Sequence, residues 1–441
     1  MTETEWYADR KTAIHLLRSG MAPPEVGQQL NRSVSWVYKW QSQFEAEGWT
    51  GLQGRSRAPK HSPTQLTASV RQNIRQARSE LEAEAAEGQG LQYIGAAAVQ
   101  ARLDEKRMRP LPSTASIERV LPAAGMSRPR PEPAAAKVIY PHLHSVEPHY
   151  LCQVDIVPHF LTGGQAIACF NAIAVVSRYP TGQAYPRRWS QEAAEFLVHV
   201  WQEVGLPQYT QVANEACFSG GFTHPGVLGK VVRLALSVGT QLVFSPLDHP
   251  ESNGSVERFH QDYDHHVWDD TDLRDCADVQ GHADPFFPAY RRSRHQRALH
   301  GDSPTQVHHR LPARKLSPTF TLPPDKLPLT EGRVHFMRLV SPARTVSVLN
   351  MTWPLPEAHP HQGVWGTLEL KTNDASLRLY DQAPDAQHRI CLAQHPFPLK
   401  EPVQPVRSEF QPTSTSNLLA DLIAGTILRL DQVVAFFSTM F

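Results

Sequence analysis

The feature that most constrains the fold is a regular order of strand and helix patterns between residues 150 and 268. Three β-type runs come first. Helical and strand patterns then alternate through "SQEAAEFLVHVWQEVG", "QYTQVA", "VLGKVVRLALSVG" and "TQLVFSP", and a turn leads into a last helix. The order β-β-β-α-β-α-β-α predicts an α/β domain built on a mixed sheet.

Three positions in this region point to chemistry. Asp155 interrupts the apolar strand "YLCQVDIVPHFL", and Glu257 lies near the start of the last helix, in "SNGSVERFH". The strand "QYTQVA" ends at Ala213, directly before the turn "NEACFSGG". Either acid alone would be an ordinary strand-end or helix-surface carboxylate. Their meaning therefore depends on their order along the chain.

Two segments carry a family resemblance. "SPLDHPESNGSVERFHQD" resembles the pattern H-P-x-x-N-G-x-V-E-R of the integrase catalytic core shared by retroviral integrases and insertion-sequence transposases. "YRRSRHQRALHGDSPTQ" resembles a downstream segment of the same family. The matching residues there are Tyr290, Arg294, Ala298, Leu299, Gly301 and Pro304, and the departures are Arg291, His295, Gln296 and Ser303. The resemblance covers roughly 150–306 and implies a ribonuclease H-like fold.

The resemblance implies an Asp-Asp-Glu site that holds two Mg²⁺ or Mn²⁺ ions and catalyses DNA cleavage and strand transfer. Asp155 matches the first acid and Glu257 the third, so both are expected metal ligands. Ala213 stands where the second aspartate is expected, in a motif that is otherwise whole. This suggests a deliberate Asp→Ala substitution, with a natural variant as the alternative. We expect weakened metal binding and abolished catalysis, and we do not expect Glu215, where the turn begins, to replace the missing acid.

The first third of the chain predicts DNA-binding helices. "RKTAIHLLRSG", "APPEVGQQL" and "NRSVSWVYKWQSQFEAEG" read as three short helices with Gly20 and Gly48 as stops and Asn31 or Ser33 as an N-cap. This is a helix-turn-helix layout, with Trp40 and Phe44 facing its core. A second helical set follows, with its last helix capped by Ser113.

Residues 1–130 hold 18 Lys and Arg against 13 Asp and Glu, a surplus that favours a phosphate-facing surface. A solvated linker at 55–60 and a purely structural second bundle are the alternatives. The residues expected to contact DNA, including two from the catalytic region, are Ser33, Ser35, Trp36, Lys39, Arg55, Arg57, Lys60, Arg102, Lys106, Arg107, Arg258 and Arg294.

The remaining patterns complete a multidomain organisation. Short β-runs after residue 327 predict a small β-barrel or sandwich, and the apolar tail has helical spacing. The chain lacks a secretory leader pattern, and the charges in its tail disfavour a membrane span, so a cytoplasmic protein is expected. The predicted segments are a helix-turn-helix domain at 1–60, a second helical domain at 61–125, a linker at 126–148, the catalytic core at 149–310, the barrel at 327–400, a spacer at 401–416 and an amphipathic tail helix at 417–441.

Two functional hypotheses follow. In the first, the chain is a transposase or integrase subunit that binds double-stranded transposon-end and target DNA and works as a homo-oligomer, because two DNA ends must meet. In the second, it is a non-catalytic, sequence-specific DNA-binding protein, such as a repressor or an assembly factor, on a degenerate core. A nuclease acting on hybrid duplexes is disfavoured, since tandem helix-turn-helix patterns suit duplex DNA.

Overall fold

The computed structural model describes residues 3–53, 66–87, 93–127, 140–220, 225–246, 250–269 and 271–407. The chain forms two compact units, Met1–Thr67 and Ala68–Phe441.

The N-terminal unit consists, in its described part, of three helices and a short 3₁₀ turn at Gly48–Leu52. The helices are α1 (Glu3–Arg18), α2 (Pro23–Gln29) and α3 (Val34–Glu47). The predicted boundaries are confirmed: Gly20 and Gly48 have positive φ after α1 and α3, and the Ser33 side chain accepts a hydrogen bond from the Trp36 amide. The core of the unit includes Ala13, Ile14, Val26, Val37, Trp40 and Leu52.

The second unit begins with the helices α4 (Ala68–Ala86), α5 (Ala96–Glu105) and α6 (Thr114–Ala123). Ser113 caps α6 as predicted, accepting from the Ser116 amide. Two ion pairs tie these helices to residues 294–297 of the predicted catalytic core: Arg294 to Asp104 and Arg297 to Glu118, each 3.0 Å. The helices thus belong to the same compact unit as the sheet.

The central region has the predicted order of strands and helices. Its elements are β1 (Leu151–Phe160), β2 (Ala166–Ala174), β3 (Tyr179–Tyr185), α7 (Ser190–Glu203), β4 (Tyr209–Val212), α8 (Ala216–Ser219), α9 (Lys230–Val238), β5 (Gln241–Phe244), α10 (Gly254–Tyr263), α11 (Cys276–Arg292) and α12 (Pro304–His308).

The sheet of this region is mixed, which confirms the predicted α/β core. β1 lies centrally, antiparallel to β2 and parallel to β4; β3 pairs antiparallel with β2, and β5 pairs parallel with β4. One face packs on α7 and α9 through residues such as Phe196 and Val231. The other face packs on α10 and α11 through Phe259 and Phe287.

The C-terminal strands are arranged differently from the prediction. They are β6 (Leu329–Thr330), β7 (Gly332–Leu339), β8 (Thr345–Val348), β9 (Met351–Pro354), β10 (Gly363–Lys371), β11 (Asp374–Tyr380), β12 (Cys391–Pro396) and β13 (Val403–Gln404). In place of a separate small β-barrel, β7 pairs parallel with β5, and the order β12-β11-β10-β7-β5-β4-β1-β2-β3 makes one nine-stranded sheet. The physical reason is that β5 would otherwise be an edge strand with unpaired backbone groups, and β7 satisfies them.

The described part of the predicted linker 126–148 is also structured. Tyr140 is buried, and the Trp365 indole donates to the Pro141 carbonyl at 2.8 Å. This segment therefore packs against the C-terminal part of the sheet. The predicted tail helix at 417–441 lies outside the described residues. Among the described helices, none has the length and apolar character needed to cross a bilayer.

Candidate active site

Asp155 and Ala213 each directly follow a paired residue of two neighbouring parallel strands. β1 and β4 are parallel, and their pairing runs through Val154 and Val212. We therefore expect the residues that follow, Asp155 on β1 and Ala213 directly after the end of β4, to leave the same face at the same level. An aspartate at position 213 would project beside the Asp155 carboxylate, as the resemblance implies.

Glu257 reaches the same region from α10. It lies in the first turn of that helix, which packs against β1 and β2. Asp155 faces this helix, because its partner on β2 is Asn171, whose neighbours Cys169 and Ile173 on the same strand face pack in the α10–α11 cluster. The structure thus brings the three predicted positions, Asp155, 213 and Glu257, to one place.

A buried pair of glutamines, which sequence reasoning missed, fixes the start of α10 to the sheet. Gln153 lies two residues before Asp155, and its Oε1 accepts from the amides of Ser255 and Val256 at 3.1 and 3.3 Å. Its Nε2 donates to the Ser252 carbonyl at 3.1 Å. Because Gln153 and Asp155 share a strand face, these bonds set the position of Glu257 relative to Asp155.

The second glutamine extends this network to β4. Gln211 pairs with Gln153 in the sheet and is two residues before Ala213. Its Nε2 donates to Asn253 Oδ1 at 2.7 Å and to the Ser252 carbonyl at 2.9 Å. One buried set of hydrogen bonds therefore joins β1, β4 and the start of α10, the elements that position Asp155, Ala213 and Glu257. A polar residue in a strand gives no sequence signal of such a partner, which is why the network was not predicted.

The electrostatics of the site are those of crowded carboxylates. Burial, opposed by a hydrogen bond from the Ile156 backbone and reinforced by the negative charges of Glu215 and Glu257, raises the pKa of Asp155 to about 6. Burial also raises the pKa of Glu215, opposed by Arg188, whose Nη1 lies 3.5 Å from Glu215 Oε2. A divalent cation bound among these carboxylates would favour their charged forms. Among the described residues, however, no group of three or more His, Cys, Asp or Glu side chains is arranged to hold a metal ion.

A side chain of the C-terminal strands fixes the turn that follows position 213. Asn214 donates through Nδ2 to the Ser245 carbonyl and accepts at Oδ1 from Arg338 Nη2 at 2.9 Å. Arg338 is buried on β7 and also donates to the Ser347 carbonyl at 2.9 Å. Burial lowers its pKa to about 10, so the side chain remains a charged guanidinium at neutral pH. Carbonyl and amide oxygens hold it in place. The C-terminal strands thus contribute directly to the geometry of the candidate site.

The exposed face of α3 carries the predicted DNA contacts in the N-terminal unit. Ser33, Ser35 and Lys39 are exposed, as expected for a recognition helix. Trp36 is only half-exposed, because part of its side chain packs against the core of the unit. Only the remaining part of its surface is open for the predicted DNA contact. Tyr38, which was not among the predicted contacts, is 54% exposed on α3, one turn after Val34. Arg55, Arg57 and Lys60 lie outside the described residues.

Several of the other predicted DNA contacts have protein partners. Arg102 pairs with Glu84 at 2.7 Å, and Lys106 pairs with Glu80. Arg294 is bound to Asp104 and to the Gly301 carbonyl, which makes it a connection between helices and core. Arg107 is exposed.

Arg258 is exposed beside Glu257 and bonded to Gln261. With Arg178, it lines a cleft of about 350 Å³ next to the start of α10.

Comparison with known proteins gives two kinds of similarity. Residues 10–72 match the family model described as a winged helix-turn-helix. The N-terminal unit is similar to winged helix-turn-helix domains. The sheet region is similar to solved integrase cores at low identity. These include the HTLV-2 integrase catalytic core domain in complex with magnesium (13% identity, TM-score 0.31, covering 38% of this chain and 100% of that chain).

Two further structures are similar in the same way. One is the simian T-cell lymphotropic virus intasome in complex with PP2A regulatory subunit B56 gamma (12% identity, TM-score 0.33, covering 73% of this chain and 99% of that chain). The other is the catalytic core domain of BIV integrase (16% identity, TM-score 0.28, covering 36% of this chain and 93% of that chain). Sequence identities and TM-scores this low do not by themselves support a conclusion about function.

Proposed function

We propose that the chain is a transposase- or integrase-type subunit that binds transposon-end DNA through its N-terminal unit. The winged helix-turn-helix match over residues 10–72 supports this, as does the exposed face of α3 with Ser35, Tyr38 and Lys39. A helix of this kind fits the major groove of duplex DNA, where side chains read base edges. The subunit acts as a homo-oligomer, since two DNA ends must be joined in one reaction.

The proposed reaction is cleavage and strand transfer at phosphodiester bonds, by in-line attack of water and then of a 3′-hydroxyl. The observation that carries it is the convergence of Asp155, position 213 and Glu257 on one face of a mixed sheet. Asp155 and Glu257 offer the hard oxygen ligands that Mg²⁺ and Mn²⁺ prefer. A bound ion would there stabilise negative charge at the reacting phosphate.

The donor set is incomplete for two ions. The side chain of Ala213 ends in a methyl group and provides no ligand, whereas a two-metal site needs a further carboxylate at this position. We therefore propose that Asp155 and Glu257 suffice for one ion only. The chain in this form binds DNA but is catalytically inactive, whether the alanine was introduced or arose naturally.

The test is to restore the acid. We expect Ala213→Asp to gain metal-dependent nicking and joining of DNA, with rates on the order of 10⁴- to 10⁶-fold above the unaltered chain, the range seen when one member of a catalytic set is lost. Ala213→Asn is the matched control, because it has the same shape without the charge. If the unaltered chain is already active, Glu215 becomes the leading candidate for the second acid, and Glu215→Gln tests it.

The second candidate function is that of a repressor or assembly factor, and the observation that favours it is Ala213 itself. It predicts specific DNA binding with no activity in either chain. Continued inactivity of Ala213→Asp on DNA that it binds tightly would favour this alternative.

A further inference from the structure

An exposed basic and aromatic loop lies beside the candidate active site, and neither the fold nor the catalytic residues explain it. Trp189 stands between β3 and α7 with 60% of its surface exposed. The Arg187 guanidinium lies over its ring, 4.4 Å from the centroid. Most large apolar side chains of this unit are buried, so an exposed tryptophan at this place needs a reason.

Within the described part of the chain, Trp189 has neither a packing role in a hydrophobic core nor a capping role at the start of α7. It is not part of a hydrophobic cluster of the described residues. It occupies the N-cap position of α7 but makes no side-chain cap hydrogen bond. Ser, Thr, Asp or Asn would stabilise this helix end by about 1 kcal/mol relative to residues that cannot cap it.

The loop is tied to the site by a short series of contacts. Arg188, next to Trp189, lies 3.5 Å from Glu215. Glu215 is two residues beyond Ala213, which directly follows Val212, the last residue of β4 paired with β1. Lys230 approaches the first turn of α7, donating to Gln191 at 2.6 Å. Arg188 therefore links this loop to Glu215, while Arg187 and Lys230 add positive charge near the exposed indole of Trp189.

We propose that Trp189 and Arg187 form a stacking platform for an unpaired nucleotide base of the DNA strand that enters the active site. The inference rests on the proposed function. Flat aromatic and guanidinium groups with neighbouring cations bind single strands, because the ring stacks on a base while the cations contact phosphates. Inside a duplex the face of a base is covered by the neighbouring base pairs, so the occupant is an unpaired nucleotide of an opened duplex. That nucleotide comes from the element's own end or from target DNA.

The test measures binding of three DNA probes by the full-length chain: a blunt duplex, the same duplex with a forked end, and the same duplex with an internal mismatched bubble. A 2-aminopurine at the unpaired position reports stacking by its fluorescence. We expect Trp189→Ala to weaken binding of an opened probe about 5- to 150-fold, equivalent to roughly 1–3 kcal/mol per stacked base, and to leave blunt-duplex binding unchanged. Trp189→Phe should restore most of the loss.

Phe160→Ala is the control for removing an exposed aromatic side chain of the same unit, because Phe160 is 72% exposed at the C-terminal end of β1. Dependence of the forked probe on Trp189 assigns the base to the element's end, and dependence of the bubble assigns it to target DNA. If the unaltered chain binds none of the probes, the proposed function fails together with this inference. If it binds duplex DNA but Trp189→Ala binds both opened probes normally, or changes only the oligomeric state, this inference alone is overturned.

Discussion

The buried glutamine network makes a quantitative prediction for stability. Replacing Gln153 with leucine keeps the approximate volume but removes the acceptor of the Ser255 and Val256 amides and the donor to the Ser252 carbonyl. A buried donor left without a partner costs about 1–3 kcal/mol. The Ser252 carbonyl keeps its bond from Gln211, and Ser255 is only half-buried. The expected loss is therefore about 2–4 kcal/mol of unfolding free energy, out of the 5–15 kcal/mol typical of a domain.

Denaturation by urea, followed by circular dichroism, measures this change. Gln191→Leu is the matched control, because Gln191 is exposed on α7, and we expect its effect to stay within about 0.5 kcal/mol. A double-mutant cycle with Gln211→Leu should give a coupling of about 0.5–3 kcal/mol, as expected for residues in one hydrogen-bond network. A loss below about 0.5 kcal/mol for Gln153→Leu, or strictly additive effects, would refute the view that these glutamines hold α10 in place.

Three further predictions concern other residues of the two units. The raised pKa of Asp155, about 6 against 3.8 in its unperturbed state, means that ionisation of this group opposes folding, so the unaltered protein loses stability as pH rises through about 4 to 6. Asp155→Asn should therefore stabilise the metal-free protein by up to roughly 3 kcal/mol at pH 8 and have no such effect at pH 3. Equal effects of the substitution in denaturation curves at both pH values would contradict this. Arg338→Met should cost about 1–3 kcal/mol, because carbonyl and amide oxygens lose their donor, and in the Ala213→Asp chain it should also lower kcat; an unchanged kcat would show that the C-terminal strands do not position the site. Lys39→Gln should weaken duplex binding and reduce the slope of log K against log salt by about 1; an unchanged slope would remove Lys39 from the DNA interface.

The sequence was most informative where structure depends on local chemistry. The strand and helix order of the core was correctly predicted because hydrophobic periodicity differs between the two elements. The start of α3 and the start of α6 were predicted because Ser33 and Ser113 accept hydrogen bonds from backbone amides of the first helical turn. The end of α3 was predicted because Gly48 readily adopts the positive φ found there. The convergence of Asp155 and Glu257 followed from the family resemblance and not from periodicity.

Non-local pairing was the part that could not be predicted. The strands after residue 327 have the alternation of apolar and polar residues that is typical of an independent barrel. Only the three-dimensional structure shows that β7 pairs with β5. The two glutamines read as ordinary polar strand residues, since their partners are 41 and 99 residues away, and the Asn214 partner of Arg338 is 124 residues away. Arg294 was expected to bind DNA because charge alone does not distinguish a phosphate partner from Asp104.

The claim that position 213 is the place of a missing metal ligand is tested most directly by counting bound ions. Titration of the full-length chain with Mn²⁺, followed by electron paramagnetic resonance, can be compared between the unaltered protein, Ala213→Asp and Ala213→Asn. We expect the aspartate variant to bind two ions per subunit, and the unaltered and asparagine forms to bind one, more weakly, through Asp155 and Glu257. Two ions already bound by the unaltered chain, or no gain with aspartate at 213, would contradict this assignment of the site.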